Sequence, residues 1–219
     1  MTQMPTCGAL APAPARTRGR ASHTARSFEF VGPGDAARPG LETFIADAFQ
    51  ASYGARVSHF CDMLVGTRSA DGGWTAALGY SLAAAGPTFL EQYLDGPLDA
   101  EIGARLGRPV TRDQVVEVGN LAASSPGEAR ALIVHATGLL YELGLHIVAF
   151  TATASLLNSF GRLRLHPQLL APADPLRLPG GGCEWGSYYD THPHVMFGDI
   201  RYGYEKLARL ASREASPAV

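Results

Sequence analysis

A glutamate and an asparagine interrupt an otherwise apolar run, 115-VVEVGNLAA-123. A carboxylate among valines loses hydration, which raises its pKa towards the range useful for a general base. In a regular strand Glu117 and Asn120 would point to opposite faces. A bulge at Gly119 would break the alternation and let both side chains approach one site. The run therefore predicts proton-transfer chemistry; in the alternative reading, Glu117 pairs with an arginine and Asn120 satisfies loop backbone.

Helix-start signals follow this run directly. Ser125 is a candidate N-cap, Pro126 stands at the first helical position, and Glu128 completes a capping box. Exposed N–H groups at a helix start attract anions such as phosphate. The capping box already uses some of those donors and no GxG motif precedes the helix, so the phosphate signal is weak.

Two further segments carry groups that could serve a site. In 184-EWGSYYDTHPHVM-196, side chains able to line a pocket and place hydroxyl groups are Trp185, Tyr188, Tyr189 and Asp190. Aromatic packing explains Trp185 and one tyrosine equally well. His192 and His194 have no nearby third ligand, so no metal site is predicted. In 89-FLEQYLD-95, strand alternation would place Glu91 and Tyr93 on one face, although a solvated edge accounts for them equally.

The elements that must position these residues follow from periodicity and turn residues. Predicted strands cover 28–31, 59–66, 74–84, 115–123, 145–151, 184–189 and 194–197. Predicted helices cover a segment with apolar residues at 41–49 that ends near 53–54, then 99–106, 125–144, 155–162 and 204–211. Strand 115–123, its helix and strand 145–151 form a βαβ unit, so these two strands should be parallel neighbours. The chain is predicted to be α+β, with a mixed sheet that is antiparallel in its first half.

Composition limits the class of protein. A hydrophobic content of 46% with 17% charged residues describes a globular core. Residues 1–27 are predicted to be a disordered Ala/Arg/Pro-rich tail, 28–212 one domain, and 213–219 a flexible C-terminus. Residues 1–28 carry four arginines and no acid, which leaves 14 basic against 20 acidic residues in the remainder. This mildly acidic body argues against nucleic-acid binding, no stable membrane insertion is expected, and three widely spaced cysteines favour a reducing cytoplasm.

Nine segments, in order over residues 53–200, carry a family resemblance: 53-YGA-55, 77-ALGY-80, 89-FLEQYLD-95, 112-RDQVVEVGNLAA-123, 150-FTAT-153, 156-LLNSFGRLRL-165, 171-APADPLRL-178, 185-WGSYYD-190 and 195-VMFGDI-200. With these segments the chain resembles the bacterial thermostable hemolysins. The order of elements is also similar to that of the GNAT acyltransferases, and within them to the acyl-homoserine-lactone autoinducer synthases and N-acyl amino acid synthases. The resemblance implies a single GNAT-like domain whose bulged central strand splays from its parallel neighbour and leaves a V-shaped cleft for a thioester arm.

The resemblance also implies roles for the residues of the site. Catalytic roles fall to Glu117, Asn120, Tyr188 and Tyr189, with Glu117 as base, backbone N–H groups around the bulge as oxyanion donors, and a tyrosine as acid for the leaving thiolate. Acyl or acceptor binding falls to Glu91, Tyr93, Gly119, Leu121, Ala122, Thr151, Trp185, Ser187 and Asp190.

The expected activity is transfer of an acyl group from an acyl-CoA or acyl-carrier-protein thioester to the amine of a small metabolite, with no tightly bound cofactor. Coenzyme A users in this superfamily have a (Q/R)xxGxG/A loop, whereas this chain has 122-AASSPGEA-129 with one glycine. That difference favours a longer acyl donor, such as one held by acyl carrier protein. Where the autoinducer synthases have arginine this chain has Asn120, so an acidic group on the acceptor is either absent or bound elsewhere. Two alternatives stay open: a protein that binds thioesters or metabolites without turnover, and a membrane-active hemolysin.

Overall fold

The fold is one seven-stranded mixed sheet flanked by helices, in a computed structural model that describes residues 27–215 and the side chains of 27–212. The strands are β1 Phe28–Val31, β2 Met63–Arg68, β3 Trp74–Leu82, β4 Val115–Ala123, β5 Ile147–Ala152, β6 Gln168–Pro172 and β7 His194–Asp199. The helices within these residues are α1 Arg38–Tyr53, α2 Leu98–Leu106, α3 Pro126–Glu142, α4 Ala154–Arg162 and α5 Ile200–Ala215. The tail predicted at 1–27 lies almost wholly outside the described residues. Helix α5 runs past the predicted domain end at 212, and residues 216–219 are not described.

The sheet order is β1-β2-β3-β4-β5-β7-β6, and only β4 and β5 are parallel. This confirms the antiparallel first half and the parallel βαβ centre. Apolar side chains of α3 and α5 cover one face of the sheet, where Leu132, Leu140 and Ile200 pack on Leu78 and Val116. The 3-10 turn Phe89–Tyr93 and α2 cover the other face at the centre of the sheet, and α1 packs over β2 and β3.

The parallel pair separates after three residues. Val115, Val116 and Glu117 pair with Ile147, Val148 and Ala149, and the register then stops. Beyond this point β4 continues only against β3, and β5 continues only against β7. The two strands therefore open into the V-shaped gap that the resemblance implied.

Strand β4 is bulged where the glycine predicted it. Gly119 pairs with Gly79 and Ala122 with Ala77, so Asn120 and Leu121 together face one residue of β3. Asn120 adopts a left-handed φ of 54°, a conformation that asparagine tolerates better than most residues. The extra residue reverses the alternation, so Ala122 packs with the α1 side of the sheet whereas Leu121 packs with the α3 side.

The predicted strand at 59–66 is wrong in its first half, because β2 begins at Met63. The backbone of residues 59–61 bonds to a side chain instead of a neighbouring strand: Cys61 N–H donates to Asn120 Oδ1 at 2.9 Å, and Asn120 Nδ2 donates to the His59 carbonyl at 3.1 Å. Gly79 leaves room for this contact, since a Cβ there would lie 2.9 Å from Asn120 Oδ1 and 2.7 Å from Cys61 Cβ.

The strand predicted at 184–189 is also wrong. Residues 175–191 form consecutive 3-10 turns, because glycines 180–182 and Gly186 all have positive φ, which an extended strand excludes. Gly186 lies against α1, where a Cβ would come within 2.1 Å of the Tyr53 carbonyl. We call residues 175–191 the cover loop, because it places Trp185 and Tyr188 beside β4 and β5.

Two smaller predictions also fail for physical reasons. Strand β6 is absent from the predicted strands because proline is unfavourable inside a sheet, yet Pro172 stands at the end of an edge strand, where a missing N–H is tolerated. The alternation expected for 89-FLEQYLD-95 is absent because Phe89–Tyr93 is a 3-10 turn. Glu91 and Tyr93 consequently have different partners and do not share a face.

Candidate active site

Two cavities meet at the gap between β4 and β5. The larger, about 460 Å³, lies on the α3 side and is bounded by α3, by α4 and by the start of α5. The smaller, about 60 Å³, lies on the opposite side of the sheet and contains Glu117. The residues that line both are Phe49, Val118, Gly119, Asn120, Thr151 and Tyr188. The two cavities therefore adjoin at the bulge and at the separation of the strands, where they share part of their lining.

Glu117 is the buried acid of this site, with 5% of the residue exposed. Burial raises its pKa from 4.5 to about 7, with a smaller contribution from the charge of Glu91. The backbone N–H groups of Leu90 and Phe89 and the Thr88 hydroxyl oppose the rise by stabilising the carboxylate. The Leu90 N–H donates to Glu117 Oε2 at 3.4 Å. A carboxyl group with a pKa near neutrality can accept a proton from a substrate at physiological pH.

Two tyrosines, Tyr93 and Tyr188, line the smaller cavity together with Glu117. Tyr188 is buried, its hydroxyl donates to Thr151 Oγ1 at 3.3 Å, and burial raises its pKa to about 12. The hydroxyls of Tyr93 and Tyr189 are 2.5 Å apart, and burial raises the pKa of both. Each of these phenols is protonated at neutral pH and is able to donate a proton.

The structure brings together most of the residues that the sequence predicted for the site. Those lining the smaller cavity are Tyr93, Glu117, Gly119, Asn120, Thr151, Trp185 and Tyr188, and those lining the larger include Leu121 and Ala122. Tyr189 lines neither cavity, and it contacts the site through its hydrogen bond to Tyr93 and its ring contacts with Trp185 and Tyr188.

Besides Tyr189, three predicted residues line neither cavity. Glu91 accepts from Leu98 N–H at 2.9 Å and pairs with Arg112 at 2.6 Å, so it fixes the turn that carries Leu90. Ser187 donates through its N–H and its hydroxyl to the Tyr53 carbonyl. Asp190 is exposed. These contacts give Glu91 and Ser187 structural partners within the protein.

Sequence reasoning missed several lining residues, which are Phe49, His59, Cys61, Phe89, Leu90 and Val118. Phe49 belongs to the apolar face of α1, and nothing in that pattern separates a core residue from a cavity wall. Burial, followed by the charge of Glu117, raises the pKa of Cys61 to about 12, so its thiol is protonated at neutral pH. Across the described residues, no group of three His, Cys, Asp or Glu side chains could hold a metal ion.

The amide of Asn120 connects the bulge to residues 59–61, which gives a first prediction. Asn120→Gly accommodates the positive φ but loses both hydrogen bonds, and we expect it to lower the free energy of unfolding by about 1–3 kcal/mol. Asn120→Ala adds strain at φ 54° and should lower it further. Urea unfolding of the three proteins measures both effects. Equal stability of the glycine variant and the wild type would contradict the role given to the amide.

Three solved structures that share this fold are synthases whose names refer to acylated products. A CoA-dependent acyl-homoserine lactone synthase, BjaI, solved with SAM and isopentyl-CoA, has a TM-score of 0.59 at 13% identity, covering 89% of this chain and 92% of its own. FeeM, an N-acyl amino acid synthase from uncultured soil microbes, has a TM-score of 0.55 at 13% identity, covering 83% and 95%. The AHL synthase LasI has a TM-score of 0.54 at 11% identity, covering 80% and 90%. The fold is therefore the GNAT-like fold of these synthases.

The family is defined at the level of sequence. The model of the thermostable hemolysin family matches residues 31–204, and this chain belongs to that family. The comparison with curated proteins gives no match. Within residues 27–215, no helix combines the length and the apolar composition needed to cross a bilayer.

Proposed function

We propose that this protein is an N-acyltransferase that moves an acyl group from an acyl-CoA or acyl-carrier-protein thioester to the amine of a small metabolite. The observation that supports the proposal is the pair of adjoining cavities at the gap in the sheet. A largely apolar cavity on one side meets, at the β4 bulge, a small cavity with a buried carboxylate on the other. One side suits an acyl thioester, and the other suits an amine that must lose a proton.

In this proposal the thioester carbonyl lies at the gap, beside Gly119 and Thr151. Asn120 and Leu121 together oppose one residue of β3, which interrupts the regular ladder, so backbone N–H groups at this bulge are the proposed donors to the oxyanion that forms when the amine attacks. The Gly119 N–H instead faces the Cys61 sulfur. The bulge thus supplies polar backbone groups at the point where charge develops.

The proton steps follow from the two ionisable groups at the gap. The amine nitrogen bonds to the carbonyl carbon, and Glu117 accepts the proton that the nitrogen loses. The carbon–sulfur bond then breaks, and Tyr188 donates a proton to the leaving thiolate. We favour Tyr188 over Tyr189 because Tyr188 lines both cavities, whereas the hydroxyl of Tyr189 pairs with Tyr93. Asn120 serves as a positioning residue, since both polar atoms of its amide bond to backbone.

The acyl chain is assigned to the deep part of the larger cavity, which gives a second prediction. Ala136 lies in its wall, on α3. Ala136→Phe should lower kcat/KM for a dodecanoyl donor at least about tenfold relative to a butanoyl donor, because the new ring fills space needed by the longer chain. The matched control is Val134→Phe, which places the same ring on the 40%-exposed position of the same helix. An equal loss with both donors in Ala136→Phe would contradict the assignment.

The proposed function is tested with purified protein, octanoyl-CoA and octanoyl-acyl carrier protein as donors, and a mixture of primary amines. Free thiol release and mass spectrometry of the amide products measure turnover. Amide formation that depends on the protein supports the proposal. Binding of either donor without any amide product would instead favour a thioester-binding protein.

A further inference from the structure

The pocket that holds Glu117 has aromatic walls from three separate parts of the chain. Phe49 comes from α1, Phe89 from the 3-10 turn, and Trp185 from the cover loop. The ring centroids of Phe89 and Trp185 are 6.0 Å apart, and those of Phe49 and Trp185 are 6.2 Å apart. Aromatic faces attract a cation, and the Glu117 carboxylate adds its charge to that attraction. The pocket therefore suits the amino group of an acceptor, whose nitrogen becomes positively charged as it attacks the thioester carbonyl.

Within the part of the chain that the structure describes, the same pocket contains no side chain with a permanent positive charge that could pair with a carboxylate. Among the described residues, the side chains that line the two cavities include no arginine and no lysine. Two arginines, Arg112 and Arg177, contact the 3-10 turn Phe89–Tyr93, and both are bonded to groups within the protein. Arg112 bonds to Glu91, to Asp99 and to two backbone carbonyls. Arg177 bonds to Asp95 and to two backbone carbonyls.

The size of the pocket decides which part of an acceptor must enter it. A volume of about 60 Å³ holds only a few non-hydrogen atoms, which is the amino group and its nearest carbons. In an amino acid the carboxylate is attached to the carbon that bears the amine. That carboxylate would therefore lie in the same small pocket as Glu117, without a counter-ion and near a like charge.

From these observations we infer that the acceptor is an apolar primary amine without a carboxylate, of the arylethylamine or branched alkylamine type. This inference rests on the proposed acyl transfer. The amino group lies beside Glu117, and the apolar body lies against the rings of Phe89 and Trp185 towards the mouth. The exposed His59 is stacked on Phe89 there, with ring centroids 5.0 Å apart.

The test uses matched pairs that differ only by the carboxylate: phenethylamine against L-phenylalanine, and isoamylamine against L-leucine. Isothermal titration calorimetry measures binding to the full chain, and amide formation from octanoyl-CoA and from octanoyl-acyl carrier protein measures kcat/KM. We expect the amine to be preferred over its amino acid by at least about 100-fold in both measurements, since an uncompensated buried charge is rejected strongly.

A gain of function provides a second arm. His59→Arg places a guanidinium at the mouth of the pocket, and it should raise kcat/KM for L-phenylalanine relative to phenethylamine at least about tenfold. His59→Gln is the matched neutral control, and it should leave the ratio between the two acceptors as in the wild type. A ratio that is unchanged in His59→Arg would overturn the proposed reason for the preference.

The outcomes separate this inference from the proposed function. Amide formation with L-phenylalanine or L-leucine at equal or higher kcat/KM overturns the inference and leaves acyl transfer standing. Selective binding of phenethylamine without amide formation supports the carboxylate-free pocket and contradicts acyl transfer. The absence of both binding and turnover for all four compounds overturns the inference, and turnover with the amine mixture then decides the proposed function separately.

Discussion

Glu117→Gln is expected to lower kcat for amide formation by about 10²–10⁴-fold, the range for loss of a general base. Glutamine has nearly the same shape and retains an oxygen that can accept from Leu90 N–H, so the loss reports the missing proton acceptor. Steady-state thiol release with octanoyl-CoA and a reactive amine measures it. In the wild type, kcat/KM should fall about tenfold per pH unit below about pH 7, where Glu117 becomes protonated.

The control for this variant is Asp47→Asn, which removes an exposed carboxylate from α1, the helix that also carries Phe49. Its kcat should equal that of the wild type. A Glu117→Gln protein with more than about a tenth of wild-type kcat would remove Glu117 from the role of base. A wild-type profile that is flat across pH 6 to 8 would argue against the same assignment.

Glu117→Gln is also expected to be more stable than the wild type at about pH 8, by up to about 3 kcal/mol. The folded protein raises the pKa of Glu117 from 4.5 to about 7, so ionisation of this buried group opposes folding. Between these two values the folded state binds more protons than the unfolded chain, and stability falls as pH rises through the window. Glutamine does not ionise, so the variant lacks this pH-dependent loss.

Urea unfolding at about pH 8 and about pH 4 checks the sign of this effect. The difference between variant and wild type should be largest at the higher pH and should nearly vanish at the lower one, where Glu117 is protonated in both states. A variant that is less stable than the wild type at about pH 8 would mean that the carboxylate is stabilised by partners and does not carry the burial penalty.

The centre of the fold was predictable because its signals are local. Strand β4 has the predicted bounds Val115–Ala123. Ser125 Oγ accepts from Glu128 N–H at 3.2 Å and Pro126 opens α3, as the capping residues indicated. The glycine at 119 indicated the bulge, and a carboxylate among valines indicated burial. Each of these predictions depends on residues within one turn or one strand.

The periphery of the site was not predictable, because its structure depends on contacts between distant segments. Residues 59–61 leave the sheet because they bond to Asn120, about sixty residues along the chain. The cover loop turns at glycines 180–182 and at Gly186. Glycine is compatible with a strand, a turn or a loop, so its presence does not predict which of the three forms. The larger cavity exists because β4 and β5 separate. The hydrophobic periodicity of neither strand predicts this separation.

The family name refers to lysis, whereas the function proposed above is chemistry at an acyl thioester. The described residues contain a buried carboxylate with a raised pKa at the meeting point of two cavities. A purely lytic protein has no need for such a group, whose ionisation lowers the stability of the fold. The presence of a buried carboxylate at that position supports the proposed enzymatic function.

The measurement that tests the central proposal most directly compares small-molecule extracts of a bacterial host that expresses the wild type, Glu117→Gln or an empty vector. The host supplies both kinds of acyl thioester and many amines, and high-resolution mass spectrometry detects new N-acyl species. We predict a new N-acyl amine in the wild-type extract that is absent from the other two. An N-acyl product at equal abundance in the Glu117→Gln extract, or extracts without any difference, would contradict acyl transfer through Glu117.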